Sequence, residues 1–172
     1  MENEDYRIIN KNDTTIKCFR DGRIETICKR TNQYGKKGEW IERSNKPNNK
    51  GYIVFAINKK RYYLHRIIYK YHIEEWDITD TSRDNQIDHI NINPLDNRIE
   101  NLRVVNHSIN TRNRNKQKNC SSKYKGVCWH KRDSKWFAQI RIDGKLKHLG
   151  YFTNEEEAYE CYKKVYDEIM DF

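Results

Sequence analysis

Runs rich in β-branched and aromatic residues, separated by polar turn-formers, dominate the first third of the chain and predict strands. Arg7-Ile8-Ile9, Thr14–Phe19, Arg23–Ile27 and Trp40-Ile41 are such runs, and Asn12-Asp13 and Asp21-Gly22 supply turns between the first three. Together they predict a hairpin-rich N-terminal segment over residues 1–50, whose function the sequence leaves unread. Gly35–Gly38 and Ser44–Gly51 are basic, turn-forming stretches, better read as solvated loops than as phosphate contacts. Tyr52–Ile57 and Arg61–Leu64, split by Asn58-Lys59-Lys60, predict a hairpin. It feeds a short helix from His65 to Tyr71, with Ile67, Ile68 and Tyr71 at helical spacing. Glu74–Asp80 is acidic, follows no ligand spacing, and reads as a solvated loop.

The pattern lapses over Thr111–Ser122, which has almost no apolar residues and predicts a linker, bounded here as residues 116–122. Extended at about 3.3 Å per residue it would reach roughly 40 Å, about one turn of duplex. Periodicity returns in residues 123–172. Tyr124–Trp129, Lys135–Ile142 and Lys145–Phe152 alternate as three strands, with turns at Asp133-Ser134 and Asp143-Gly144. Thr153 and Glu156 have the spacing of a Thr-x-x-Glu capping box. Ala158, Cys161, Tyr162, Val165 and Ile169 then fall on one helical face, which would pack on the sheet.

Charge says what kind of surface this is. The net charge is +9 with a third of the residues charged, yet 12 Tyr and 4 Trp mark a folded protein rather than a basic tail. Its partner is expected to be a polyanion. Between Glu100 and Asp133 there is no acid but nine cations: Arg103, Arg112, Arg114, Lys116, Lys118, Lys123, Lys125, Lys131 and Arg132. In the C-terminal module the predicted sheet is basic, with eight Lys or Arg against two Asp from Cys120 to Thr153, and the predicted helix is acidic. The sheet is therefore expected to face the polyanion and the helix water. No apolar run approaches the ~20 residues that span a bilayer, and the N-terminus lacks a basic and then apolar signal, so the expectation is a soluble, intracellular protein without membrane contact. Five scattered cysteines, with no Cys-x-x-Cys pair, are expected to be reduced thiols, and no structural zinc is expected.

The stretch Asp88–Asn110 concentrates the chemistry. It holds an acid-histidine pair, Asp88-His89, at the end of a short apolar strand, then an asparagine-rich loop, then Asn101, and Asn110 on the first turns of a predicted helix. Hydrolysis of a phosphodiester needs a water nucleophile, a base to deprotonate it, and a cation to hold the scissile phosphate. A neutral imidazole with an ordinary pKa of about 6.5 suits the base, which makes His89 the candidate. A hard divalent ion takes oxygen ligands and keeps several waters, which Asp88 and Asn110 would suit. His65 at a helix start and His107 one turn before Asn110 are candidates for a phosphate or supporting contact, a structural hydrogen bond being at least as good a reading for His65. Asn93, Asn97 and Asn106 read as turn and cap residues.

This stretch, with Leu64-His65-Arg66-Ile67-Ile68 upstream, resembles the HNH homing endonucleases, the ββα-metal nucleases of phages and mobile introns. The resemblance covers roughly residues 50–115. It implies that Asp88 and Asn110 bind a catalytic metal, Mg²⁺ with Mn²⁺ able to substitute, that His89 is the general base, and that Asn101 braces the loop that positions it. Ile92 departs from the glycine many relatives carry after His-Ile-Asn. Glycine tolerates positive φ and isoleucine does not, so a different turn is expected there.

Tyr124–Val127, Lys135–Arg141, Leu149–Phe152 and the Glu-Glu-Ala helix resemble the APETALA-two/ERF-type DNA-binding domain, over about Ser121 to Asp171. The resemblance implies a sheet laid in the DNA major groove, with contacts from Lys125, Trp129, Lys135, Gln139, Arg141 and Lys147; the charge run adds Arg112, Arg114 and Lys116. Cys128 and His130 stand where plant relatives have arginines, so no target sequence carries over. The combined expectation is an α+β protein: residues 51–115 a ββα-metal nuclease unit, residues 123–172 a three-stranded antiparallel sheet packed on one helix. It would be a homing-type endonuclease that nicks double-stranded DNA as a monomer or weak dimer, in a bacterial host or an infected cell. The competing class is a non-catalytic DNA-binding regulator with an inert nuclease-like part. An RNA-binding reading is weaker, because the sheet lacks the paired stacking aromatics of RNA-recognition folds.

Overall fold

The computed structural model describes residues 5–11, 14–43, 46–57, 60–116 and 119–170, so the turn expected at Asn12-Asp13 and parts of the loops at 44–45 and 58–59 lie outside the described residues. The described residues form small antiparallel sheets and three α-helices, and the chain divides into two compact units, 1–105 and 106–172.

In the first unit β1 (Tyr6–Lys11), β2 (Thr14–Phe19), β3 (Ile24–Ile27) and β4 (Trp40–Glu42) form an antiparallel meander in that order. Alternation decides which face is covered: Ile16, Cys18 and Ile24 are wholly buried, whereas Ile8, opposite Lys17 in the register, is exposed. Next comes the hairpin β5 (Val54–Ile57) and β6 (Lys60–Tyr63), leading straight into α1 (Leu64–His72). The hairpin β7 (Gln86–His89) and β8 (Leu102–Val105) completes the unit, with a single 3-10 turn at Ile99–Asn101 before β8. Ile9, Ile16, Phe55, Leu64, Ile67, Ile68, Ile87 and Leu102 belong to one buried cluster. The N-terminal sheet therefore has no core of its own; it shares that of α1 and the two hairpins.

The acidic loop after α1 is ordered by cations. Arg66 lies over the Trp76 ring at 4.8 Å and donates to the Ile78 carbonyl at 3.0 Å, while Lys70 donates to the carbonyls of Glu74 and Trp76.

The second unit opens with α2 (His107–Arg112), capped by the Asn106 side chain, which accepts from the Ile109 amide at 2.9 Å. Its sheet runs β11 (Lys145–Phe152), β10 (Lys135–Ile142), β9 (Val127–His130), all antiparallel, with α3 (Glu155–Met170) packed on one face through Ala158 and Tyr162. The expected linker is partly built into this unit: Ser122 is 2% exposed, and its hydroxyl donates to Glu155 and accepts from the Tyr124 amide. The expected capping box takes another form. Asn154 accepts from the Glu156 amide at 2.8 Å, and the Glu156 carboxylate takes Lys123 at 2.8 Å rather than closing back on Thr153.

Gly126 sits where Tyr162 needs space. Its φ is +77°, and a Cβ there would lie 2.1 Å from the Tyr162 ring. Gly126→Ala is expected to lower the unfolding free energy of the full chain by ~3 kcal/mol, from overpacking and left-handed strain together, as read by denaturant titration.

Candidate active site

Two adjacent residues at the end of β7 carry the candidate chemistry, and the hairpin register fixes what each meets. Asp88 pairs with Arg103 across β8, and His89 with Leu102. Directly opposite residues share a face, so the buried Asp88 carboxylate receives the Arg103 guanidinium, Nε to Oδ2, at 3.1 Å. Arg103, counted from sequence among the nine cations of the basic run, is thereby engaged inside the fold.

His89 is buried in a cluster of rings. Its ring centroid lies 5.0 Å from that of His65, edge to face, and 6.1 Å from that of Tyr52; Tyr63 stacks on His65 at 5.5 Å. Its Nε2 is 3.2 Å from Asn97 Oδ1. Burial lowers the pKa of His89, only partly offset by the Asn97 bond and by the charge of Asp88. Burial, then repulsion from His89 and Arg66, pushes His65 down to about 3. Two neutral imidazoles therefore stand side by side at neutral pH.

The segment between His89 and Asn101 is tied by side-chain amides. Asn101 accepts from the Asn91 amide through Oδ1 at 3.0 Å, and its Nδ2 donates to Asn91 Oδ1 at 3.0 Å and to the Asp96 carbonyl at 2.7 Å. Asn91 also donates to Asp96 at 2.7 Å, and Asp96 is held by Arg98, which keeps its carboxyl down at about 2. Asn93 does act as a turn residue, accepting from the Leu95 amide. Ile92 departs from the sequence expectation. Isoleucine is expected to avoid positive φ, yet Ile92 adopts φ 65° and donates its amide to the His89 carbonyl at 2.9 Å. A β-branched residue in the left-handed region is strained by roughly 1–2 kcal/mol, and the amide net around it imposes the conformation.

The N-terminal sheet supports this loop from behind. The β2–β3 turn accepts the Ile99 amide on the Arg20 carbonyl at 2.8 Å, and Arg20 pairs with Glu100 at 2.8 Å. At Gly22, φ +89°, a Cβ would lie 2.7 Å from the Asn97 carbonyl carbon, so only glycine allows the approach. A buttress for the loop is thus one role of a segment whose function could not be read from sequence.

In the second unit His107 and Asn110 lie on α2, His107 exposed and Asn110 half-buried. The structure anchors that helix to the sheet. Arg112 Nε donates to the Arg141 carbonyl at 2.9 Å, and Lys125 Nζ donates to the carbonyls of Arg112 and Arg114. Arg112 and Lys125, expected on DNA, are thus engaged in packing, and burial lowers the Lys125 pKa. Arg114 is exposed and Lys116 half-buried.

On the sheet the expected contacts separate. Lys135, Gln139 and Arg141 share the face turned away from α3, together with Phe137, whose ring stacks on His148 at 5.3 Å. Trp129 lies opposite Trp136 on the other face, and Lys147 opposite Ile140. A bulge between Ala138 and Gln139 reverses the alternation on β11 and carries Lys147 across.

Among the described residues no three His, Cys, Asp or Glu side chains gather as a metal-binding group. Magnesium does not require one, since a carboxylate, an amide oxygen and waters satisfy it. Asp88 has the carboxylate chemistry of such a ligand, one of its oxygens being held by Arg103.

Residues 62–112 match the HNH endonuclease family. The match runs from β6 through α2 and includes Asp88, His89, Asn101 and Asn110; it supports a nuclease acting on DNA, of a kind that generally uses a divalent metal. No curated protein and no solved structure matches the chain. No helix among the described residues is long and apolar enough to cross a membrane.

Sequence reasoning missed Asn97 and the pairing of Arg103 with Asp88. A loop with five asparagines between Asn91 and Asn106 signalled side-chain wiring but not which amide reaches the histidine.

Two outcomes test this geometry. Ile92→Gly is expected to raise stability by ~1 kcal/mol in denaturant titration, strain relief exceeding the added chain entropy. For His65, the unfolded chain takes up a proton near pH 6.5 and the folded chain only at about 3. Its contribution to stability is complete above pH 6.5 and drains away as pH falls towards 3. His65→Phe, which keeps a ring, should flatten that acid limb by up to about 1.4 kcal/mol per pH unit relative to the parent.

Proposed function

We propose that this chain is a metal-dependent DNA endonuclease of homing type, which nicks duplex DNA after its C-terminal sheet has bound a target. The observation that carries the reading is a buried, neutral His89 beside Asp88, at the end of β7 and before a hydrogen-bonded loop, within the segment similar to HNH endonucleases. His89 takes the proton from the attacking water. Its burial keeps it unprotonated below the usual range of histidine, so the base is ready at neutral pH. Asn101 holds the loop that carries the strand end, and His65 and Tyr52 fill the space beside the imidazole and limit its motion. His107 lies on α2 with Asn110, a turn away from it, as a supporting phosphate contact.

The resemblance to HNH endonucleases implies that Asp88 and Asn110 would hold Mg²⁺, with Mn²⁺ able to replace it; such an ion would neutralise charge on the scissile phosphate and the leaving oxygen. One such site per chain cuts one strand, which accords with a nicking monomer or weak dimer. Lys135, Gln139 and Arg141 are the residues proposed to read DNA, on the sheet face opposite α3, with Arg114 and Lys116 following the backbone. This division of labour follows the resemblance of residues 121–171 to the APETALA-two/ERF-type domain.

The test is conversion of supercoiled plasmid to open circles by the full chain. The wild type should nick with Mg²⁺ or Mn²⁺ and stop with chelator, and His89→Ala should lose at least about 10²-fold in rate while its DNA affinity stays nearly unchanged. Binding by both proteins without cutting by either, on DNA that includes the protein's own gene region, would favour the regulator reading.

A further inference from the structure

We propose that Asn97, held in place by the β2–β3 turn of the N-terminal sheet, is the positioning residue that decides which nitrogen of His89 accepts the proton. The inference rests on the nuclease reading for its consequence in catalysis, but its structural content stands apart from it.

Asn97 is 3% exposed, and each end of its amide has a partner. Nδ2 is 3.2 Å from the Leu95 carbonyl, which can only accept, so that end of the amide must be the donor. Oδ1 therefore faces His89 Nε2, 3.2 Å away. Oδ1 is itself an acceptor only, so Nε2 carries the hydrogen. In a neutral imidazole the lone pair then belongs to Nδ1, which is the nitrogen that takes a proton from water. An amide oxygen also steadies the ring as it becomes cationic without placing a full negative charge beside it.

Asn97 cannot drift from this position. The Gly22 Cα approaches it so closely that a Cβ would stand 2.7 Å from the Asn97 carbonyl carbon, and the Ile99 amide is bound to Arg20 two residues on. The N-terminal sheet thereby reaches the imidazole through one side chain.

Two substitutions separate this role from simple packing. Asn97→Asp keeps an acceptor-only oxygen towards the ring and loses the bond to Leu95; Asn97→Leu keeps bulk and removes the acceptor. The full chain, with ¹⁵N-labelled histidine and without added metal, is examined by long-range ¹H–¹⁵N NMR at a pH where His89 is neutral, and nicking with Mg²⁺ is measured in parallel over a range of DNA concentrations up to saturation. The expected result is a single Nε2–H tautomer of His89 in wild type and Asn97→Asp, and a mixed or reversed tautomer in Asn97→Leu. Nicking by Asn97→Leu should fall by about 10²-fold or more in kcat, with little change in KM, as expected when a base is offered in the wrong tautomer. An Nε2–H tautomer that survives in Asn97→Leu, or wild-type kcat in that variant, overturns the proposal. Should wild type itself fail to nick, the nuclease reading falls, while the tautomer signals still decide for or against the hold of Asn97 on the ring.

Discussion

The amide of Asn101 closes a ring of hydrogen bonds on which the rest of the candidate site depends. Its three bonds, to the Asn91 amide, the Asn91 side chain and the Asp96 carbonyl, span the loop at its neck. Each bond contributes only about 1 kcal/mol net, but a buried group left without a partner costs roughly 1–3 kcal/mol, so the ring is far more expensive to break than its individual bonds suggest. What the ring stabilises is a strained object, a turn with isoleucine at φ 65°. With the neck closed, Asn97 and His89 are brought to opposite ends of one hydrogen bond.

Electrostatics and packing have divided the cations of this chain in a way that net charge conceals. Arg103 neutralises the buried Asp88, Arg112 and Lys125 tie α2 to the sheet, and Lys123 joins Glu156 on α3. The field offered to a polyanion comes from the remainder, of which Lys135 and Arg141 share a sheet face with aromatic rings and Gln139. A basic run in the sequence is thus partly scaffold. Salt would weaken its exposed members and leave the buried ones nearly untouched.

What could be read from the sequence was whatever is local. Strands β2, β10 and β11, the Asn106 cap and the strand ending in Asp88-His89 follow from alternation and turn chemistry within a few residues. The pairing of Arg103 with Asp88 depends on hairpin register. Asn97 looked like any turn asparagine because its partner lies across the loop and its support comes from Gly22, far away in sequence. Ile92 was misjudged because local preference argued against a conformation that the surrounding bonds enforce. Lys147 and Trp129 were expected among the contacts from resemblance alone, whereas the bulge in β10–β11 and the pairing of Trp129 with Trp136 put them on the face away from Lys135, Gln139 and Arg141.

The anchoring of α2 bears on how such proteins can be recombined. The HNH match extends to residue 112, yet the compact division falls after Val105, and the helix that ends at Arg112 is held by Lys125 and by the Arg141 carbonyl of the sheet. The boundary of the motif and the boundary of the folded body do not coincide. A crossover in the basic stretch after α2 would part this helix from its supports, whereas one before Asn106 would transfer helix and sheet together. Exchange of the second unit as a whole would then bring Asn110 with it.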